Sequence, residues 1–442
     1  MQIQLSDHFS YGRLLRFTFP AMVMMVFTSL YGVVDGLFVT NFAGKTALAA
    51  INFAYPVLII LATFGYMFGT GGSALVAKTM GERQEKRANQ LFSLFVYICV
   101  GLGVLFAVLG FFLLRPLLKL LGAQGQMLEQ AVLYGRILLV SMPFWNLQFL
   151  FQIFFVTAEK PKLGLYVTLL AGITNMVLDA LFVAGLRWGI AGAAAATALS
   201  QLVGGGIPLI YFFGKNTSRL HLGKAEFDGK AVLKAMTNGT SELVNGISGS
   251  LVGILYNTQL IRYAGEDGVA AYSIMMYVSL VFIGIFFGYA NGSAPIVGFH
   301  YGAQNHGELK SLRRKSIMLN MGASIMMLLI SELLAIPLAK VFAGYDPAFY
   351  EMTLSGFRIY AVSFLFSGMA IFGSSFFTAL NNGFVSGFLS FARTMIFQTV
   401  CVLAFPLWWG IDGIWFSLVV AEALAVAVTV IFLLCMKKKY NY

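Results

Sequence analysis

Apolar stretches long enough to cross a membrane recur from one end of the chain to the other, separated by short clusters of charge, glycine and proline. A helix needs about 20 mostly apolar residues to span a hydrocarbon core of ~30 Å. The pattern predicts twelve such spans: 14–40, 50–77, 91–113, 131–157, 163–185, 190–213, 236–261, 270–298, 316–340, 353–380, 384–407 and 411–436. The expected fold is therefore all-α integral membrane. The longest charged interruption, residues 214–235, separates an amino-terminal lobe (1–213, helices 1–6) from a carboxy-terminal lobe (236–442, helices 7–12).

The halves repeat. Phe42-Ala-Gly44 matches Tyr263-Ala-Gly265, Met80-Gly81 matches Tyr301-Gly302, and Thr157-Ala158 matches Thr378-Ala379. Gly189-Ile-Ala-Gly192 matches Gly410-Ile-Asp-Gly413, again 221 positions on. Six spans per half give equivalent helices the same direction. This predicts two pseudo-symmetric six-helix bundles about an axis along the membrane normal, with a central cleft between them. Transporters built this way bind substrate between the lobes and rock them.

Composition agrees. Of 442 residues, 59% are hydrophobic and 11% charged, against ~25% charged in soluble domains. The net charge of +11 lies mostly in loops. With an even number of spans, twenty Lys and Arg fall on the side of the termini and six on the other (Lys45, Arg115, Lys119, Arg187, Arg262, Lys340). The positive-inside rule then predicts both termini in the cytoplasm and accounts for the charge without nucleic acid. The expected location is the cell (plasma) membrane. No signal-peptide pattern precedes the first apolar segment. Cys99, Cys401 and Cys435 suggest neither a disulfide framework nor a metal site, and the four histidines form no ligand pattern.

Against this background, polar residues inside spans stand out. Asp35, Asp179 and Thr197 all fall on the order of 8–11 Å below the outer edge, with Asn175 one helical turn deeper. Ionisable groups in hydrocarbon are functional candidates by default. Two carboxylates, an amide and a hydroxyl at one depth suit either a hard cation such as Na⁺ or a shared proton. Glu242, Glu332 and Glu422 are the candidates for a second acidic site. Glu242 reads equally well as an exposed acid opening helix 7, and Glu332 and Glu422 have no evident partner. Arg136, Arg358 and Arg393 read as residues snorkelling near helix ends. Asp412, between glycines, reads as structural. Gly69-Thr-Gly-Gly-Ser73 lacks the rest of a phosphate loop and lies inside a span. Pro20 interrupts helix 1 and permits a bend that would couple Asp35 to helix shape. The 42 phenylalanines and 20 methionines allow an adaptable apolar site.

Taken together, Pro20 and Asp35 in helix 1, Asn175-x-x-x-Asp179 in helix 5 and Gly189-Ile-Ala-Gly-Ala-Ala-x-Ala-Thr197 opening helix 6 resemble the multidrug and toxic compound extrusion (MATE) transporters. Asn238-Gly-Thr-Ser-Glu242 and the segment from Tyr263 to Tyr272 are most similar to its bacterial MepA-like branch. The resemblance implies secondary active efflux of lipophilic, often cationic compounds in antiport with H⁺ or Na⁺ by alternating access. It implies no cofactor beyond the coupling ion, no enzyme activity and no obligate protein partner. It also implies that Asp35, Asn175, Asp179 and Thr197 form the cation site of the amino-terminal lobe. Thr353 to Leu380 carries no acid, so the resemblance does not extend to a full second site. A lipid-linked saccharide flippase of related architecture is the alternative; it would line its cavity with several Arg or Lys, and only three lie within spans. An integral-membrane enzyme would need clustered catalytic groups, and none is evident.

Overall fold

The computed structural model describes residues 3–442, the side chain of Lys45 excepted. Helix α1 (Tyr11–Phe38), α2 (Lys45–Gly81) and α3 (Glu85–Leu120) are followed by α4, which bends by 60° between Gly125–Val140 and Met142–Thr157. Helix α5 (Pro161–Asp179) and α6 (Gly189–Phe213) complete the first half. The next helical run, Gly229–Gly302, would be roughly 110 Å long if straight. It is two spans, α7 (229–264) and α8 (266–302), meeting at Gly265 with φ 64°. Then come α9 (His306–Ala343), α10 (bent by 40° between Pro347–Ala361 and Phe364–Ala379), α11 (Gly383–Phe391 continuing through Gln398–Ala404) and α12 (Pro406–Cys435). Twelve crossings result, as the hydropathy predicts.

The repeat is written in the backbone as well. Gly44 and Gly265 turn the chain with positive φ, as do Gly189 and Gly410, each pair 221 residues apart. Arg83 and Gln304, at the same offset, also adopt positive φ. Short polar residues begin the helices. Asp228 caps α7 by accepting from the N–H groups of Lys230 and Ala231, both at 3.0 Å, and it pairs with Arg87. The Ala231 N–H, with the Arg87 guanidinium, holds the Asp228 carboxyl below its usual range. Large apolar side chains such as Phe112, Leu120, Ile210 and Leu333 are 71–84% exposed. Such residues need hydrocarbon rather than water around them, which makes the chain a multi-pass membrane protein.

Both termini and the connection between the halves lie at one end, and there the lobes close on each other. A Cβ on Gly81 would meet Phe299 O at 2.0 Å, and one on Gly302 would meet Lys78 O at 2.0 Å. These two contacts are images of each other under the 221 offset. Gly71 lies as closely against Ala235 and Gly239 of α7, and Gly292 of α8 against Thr18 of α1. Residues before α1 strap the lobes together. Leu5 N–H donates to Glu159 Oε1 at 2.8 Å, and Phe9 N–H donates to Glu308 Oε1 at 2.9 Å. His8 Nδ1 lies 2.6 Å from Glu308 Oε2, and Lys315 Nζ donates to Phe9 O at 2.5 Å.

One expectation needs correction here. Because α7 begins at Gly229, not near residue 236, Glu242 lies about 20 Å into the helix. It is not an exposed helix-start acid.

Candidate functional site

The amino-terminal lobe holds a cavity of about 320 Å³ whose lining includes Asp35, Asn175 and Thr197, together with Tyr31, Tyr55 and Gln148. Three helices bring the polar groups there: α1 carries Asp35, α5 carries Asn175 and Asp179, and α6 carries Thr197. The carboxyls of Asp35 and Asp179 are close neighbours. Asn175 Nδ2 lies 3.4 Å from Thr197 Oγ1. Asp179 and Asn175 are buried, at 0% and 1% exposure. Asp35 Oδ1, Asn175 Oδ1 and both carboxylate oxygens of Asp179 are buried without a hydrogen-bond partner.

Buried oxygens are normally satisfied. Three carboxyl oxygens and the Asn175 amide oxygen, unpartnered and with no base among the described lining residues, fit a proton or a small cation held between them. The four residues expected at one depth are thus brought to one place.

Local backbone explains part of this. Val39–Ala43 after Asp35 and Ala180–Gly185 after Asp179 are π-helical. The wider turn re-aims side chains, and such segments occur often at functional sites. A third π segment, Ala392–Phe397, carries Arg393. Nothing in the composition of these segments marks them. The tyrosines of the cavity were equally invisible, since aromatic residues are everywhere in this sequence.

The other acids divide. Glu422, expected to lack a partner, is held by Arg393: Nε donates to both carboxylate oxygens at 3.0 and 2.9 Å, and Nη2 lies 2.9 Å from Oε1. Arg393 is accordingly not a snorkelling residue. Glu332 lies 3.4 Å from Arg358, with both side chains nearly half exposed on the outer surface of the bundle. It does not line the cavity of either lobe. Glu242 lines a narrow cleft with Asn245 and Arg393. Pro20 leaves α1 unbroken and lines a groove with Arg16 and Lys162 at the closed end, far from Asp35.

The Arg393–Glu422 pair, 9% and 2% exposed, gives a stability prediction. Glu422→Gln leaves a buried guanidinium uncompensated and should cost about 3–5 kcal/mol. The double variant Arg393→Met/Glu422→Leu should recover most of that loss. Thermal unfolding of the two purified variants beside the parent tests this; a double variant no more stable than Glu422→Gln would show the pair is not the unit that matters.

Comparison with known proteins places this geometry. The family model described as MatE matches residues 20–181 and 243–403, one match in each half. The Multidrug export protein MepA of Staphylococcus haemolyticus (strain JCSC1435) is 23% identical over 427 residues, covering 92% of this chain and 90% of that protein. MepA of Staphylococcus aureus (strain MRSA252) is 22% identical over 430 residues, covering 95% and 93%. Among solved structures, an outward-facing conformation of a multidrug resistance MATE family transporter of the MOP superfamily superposes with a TM-score of 0.92 at 22% identity, covering 98% of this chain and 97% of that one. MATE in complex with MaL6 gives a TM-score of 0.91 at 21% identity, covering 98% and 97%. At these identities the structures establish the fold.

Proposed function

The chain belongs to the MatE family, and we propose that it is a secondary active multidrug exporter, driven by inward movement of H⁺ or Na⁺. Its substrates are lipophilic, often cationic small molecules, in keeping with relatives named multidrug export proteins. It is a transporter and not an enzyme, and it requires no cofactor besides the coupling ion. Both termini are cytoplasmic, and the two lobes, 1–213 and 236–442, are the moving bodies.

The observation that carries this reading is the closeness of Asp35 and Asp179, buried with oxygens unsatisfied. Two ionised carboxylates side by side repel strongly in a low-dielectric setting. A proton or Na⁺ between them removes that repulsion, with Asn175 and Thr197 supplying further oxygens. Cation binding then favours the lobe arrangement that keeps the acids together. Substrate need only prefer the other arrangement for exchange to follow, since such coupling is reciprocal. The closed end is the cytoplasmic one in this reading, so the cavities open outward, where the ion is abundant. Among the described residues no Lys or Arg lines the amino-terminal cavity, which supports a drug exporter over a flippase for lipid pyrophosphates.

The test is ethidium efflux from proteoliposomes under separately imposed proton and sodium gradients. Efflux that follows one gradient names the coupling ion. Efflux indifferent to both would sink the antiport reading.

A further inference from the structure

The lobes hold cavities that are copies of one another. Thr28, Gly32, Asp35, Gly36, Asn52 and Tyr55 line the amino-terminal one. Residues 221 positions on, Gly249, Gly253, Tyr256, Asn257, Ser273 and Met276, line a cavity of about 540 Å³ in the carboxy-terminal lobe. The repeat kept the place and changed the chemistry. At the positions equivalent to Asp35, Asn175, Asp179 and Thr197 stand Tyr256, Ile396, Val400 and Leu418. The one oxygen left, the Tyr256 hydroxyl, is bonded to Ser417 Oγ at 2.8 Å. This copy has lost the ligands of a small cation.

An aromatic cluster replaces them, with Tyr272 its partly exposed member on the cavity wall. Tyr256 lies parallel to Tyr272, with centroids 5.5 Å apart and planes at 1°. Tyr272 is backed by Trp415 at 6.5 Å and 24°, and met edge-on by Tyr360 at 6.3 Å and 73°. The ionised groups on the wall are Arg393 and Glu422, whose repeat equivalents are Gly172 and Gln201. They cancel each other, and both Glu422 oxygens are already taken by Arg393. Glu242 lies beyond Arg393 in the adjoining cleft, beside Asn245. The amino-terminal copy, by contrast, has Asp35 on its wall with Asp179 beside it, and no base among the described lining residues.

We propose that the carboxy-terminal cavity binds flat aromatic molecules of no net charge, neutral or zwitterionic, while the coupling ion binds only in the amino-terminal copy. This deepens the transporter reading and rests on it for what binding achieves. The volume is that of a small-molecule site. Offset and edge-to-face aromatic packing supplies the attraction. Asn257, Ser363 and Gln398 on the wall supply hydrogen bonds that orient the ring. A lone organic cation would find no free carboxylate there, and burying it unpaired is costly. The ion pair itself offers little stability over apolar residues of similar size. That makes its position on a cavity wall, in only one of two copies, a ligand-facing feature.

The experiment is fluorescence binding to the purified full-length protein with two probes of one ring system: acridone, neutral, and N-methylacridinium, a permanent cation. Acridone should bind the parent at least as tightly as N-methylacridinium. Tyr272→Ala should weaken acridone about tenfold or more. Tyr256→Phe, which keeps the ring, should leave it nearly unchanged. Unfolding temperatures of all variants establish that they are folded. The proposal is overturned if the parent does not bind acridone, if binding survives Tyr272→Ala in folded protein, or if N-methylacridinium binds tighter with the same dependence on Tyr272. Efflux is read separately. Acridone bound through Tyr272 with no gradient-driven efflux of any probe upholds this site and removes the antiport reading.

Discussion

Asp179→Asn will abolish gradient-driven export and yet give a protein that unfolds at the same or a higher temperature. The opposite signs follow from one arrangement. Both oxygens of Asp179 are buried with no partner except Asp35, so the native carboxyl is a burden on the fold unless a proton or cation is present. An amide needs no counter-ion, and its N–H can donate to Asp35. Leaving a buried acceptor unmade costs about 1–3 kcal/mol, and part of that should be recovered. Loss of the exchangeable charge removes the coupling. A coupling free energy of 1–3 kcal/mol corresponds to about 5–150-fold in affinity, so uphill efflux should fall at least about tenfold. Asp35→Asn should do the same, and the double variant should be no worse than either single, because the acids hold one shared ion. Efflux in vesicles and unfolding of purified protein are the two readouts. A destabilised variant that still pumps would reverse the assignment and make the pair structural.

How much of this was legible without coordinates depends on the kind of signal. Spans are legible because hydrocarbon tolerates little else, and the 221-residue repeat because glycines at turns with positive φ, such as Gly44 and Gly265, have few substitutes. Asp35, Asn175, Asp179 and Thr197 are legible as intramembrane polar residues at one depth, and their meeting follows from three helices sharing a cavity. Arg393 and Glu422 lie 29 residues apart on different helices, so depth could not say that they face each other. The depth of Glu242 was not legible because the charged stretch before residue 236 is helical from Gly229: basic residues at a membrane surface lower hydropathy without ending a helix. Glu332 looked like its neighbours in sequence, but its helix face turns outward, and only packing decides that. The strap from Leu5 to Phe9 has no periodicity at all. It is ordered by Glu159 and Glu308, one from each lobe.

Gly302→Val will drive the lobes apart at the end that carries the termini. A Cβ there would lie 2.0 Å from the Lys78 carbonyl oxygen, and the repeat-related Gly81 faces the Phe299 carbonyl at the same distance. Real Cβ atoms stay beyond 3.0 Å of such an atom, and the obstacle is helix backbone rather than a side chain that could rotate away. Neither α2 nor α8 can yield without opening the interface. Whatever the fold gains by closing this end, the variant forfeits, whereas an arrangement open at this end separates the two helices and is not penalised. Each 1.4 kcal/mol of difference shifts the populations tenfold. Spin labels on Lys86 and Lys310, exposed at this end of the two lobes, should report a longer distance in Gly302→Val and again in Gly81→Val, with export lost in both. The two substitutions act on one interface from opposite sides, so the effect of combining them should fall short of the sum. An unchanged distance in folded protein would mean that the closed end is not a moving contact, and rocking of the lobes about this crossing would have to be given up.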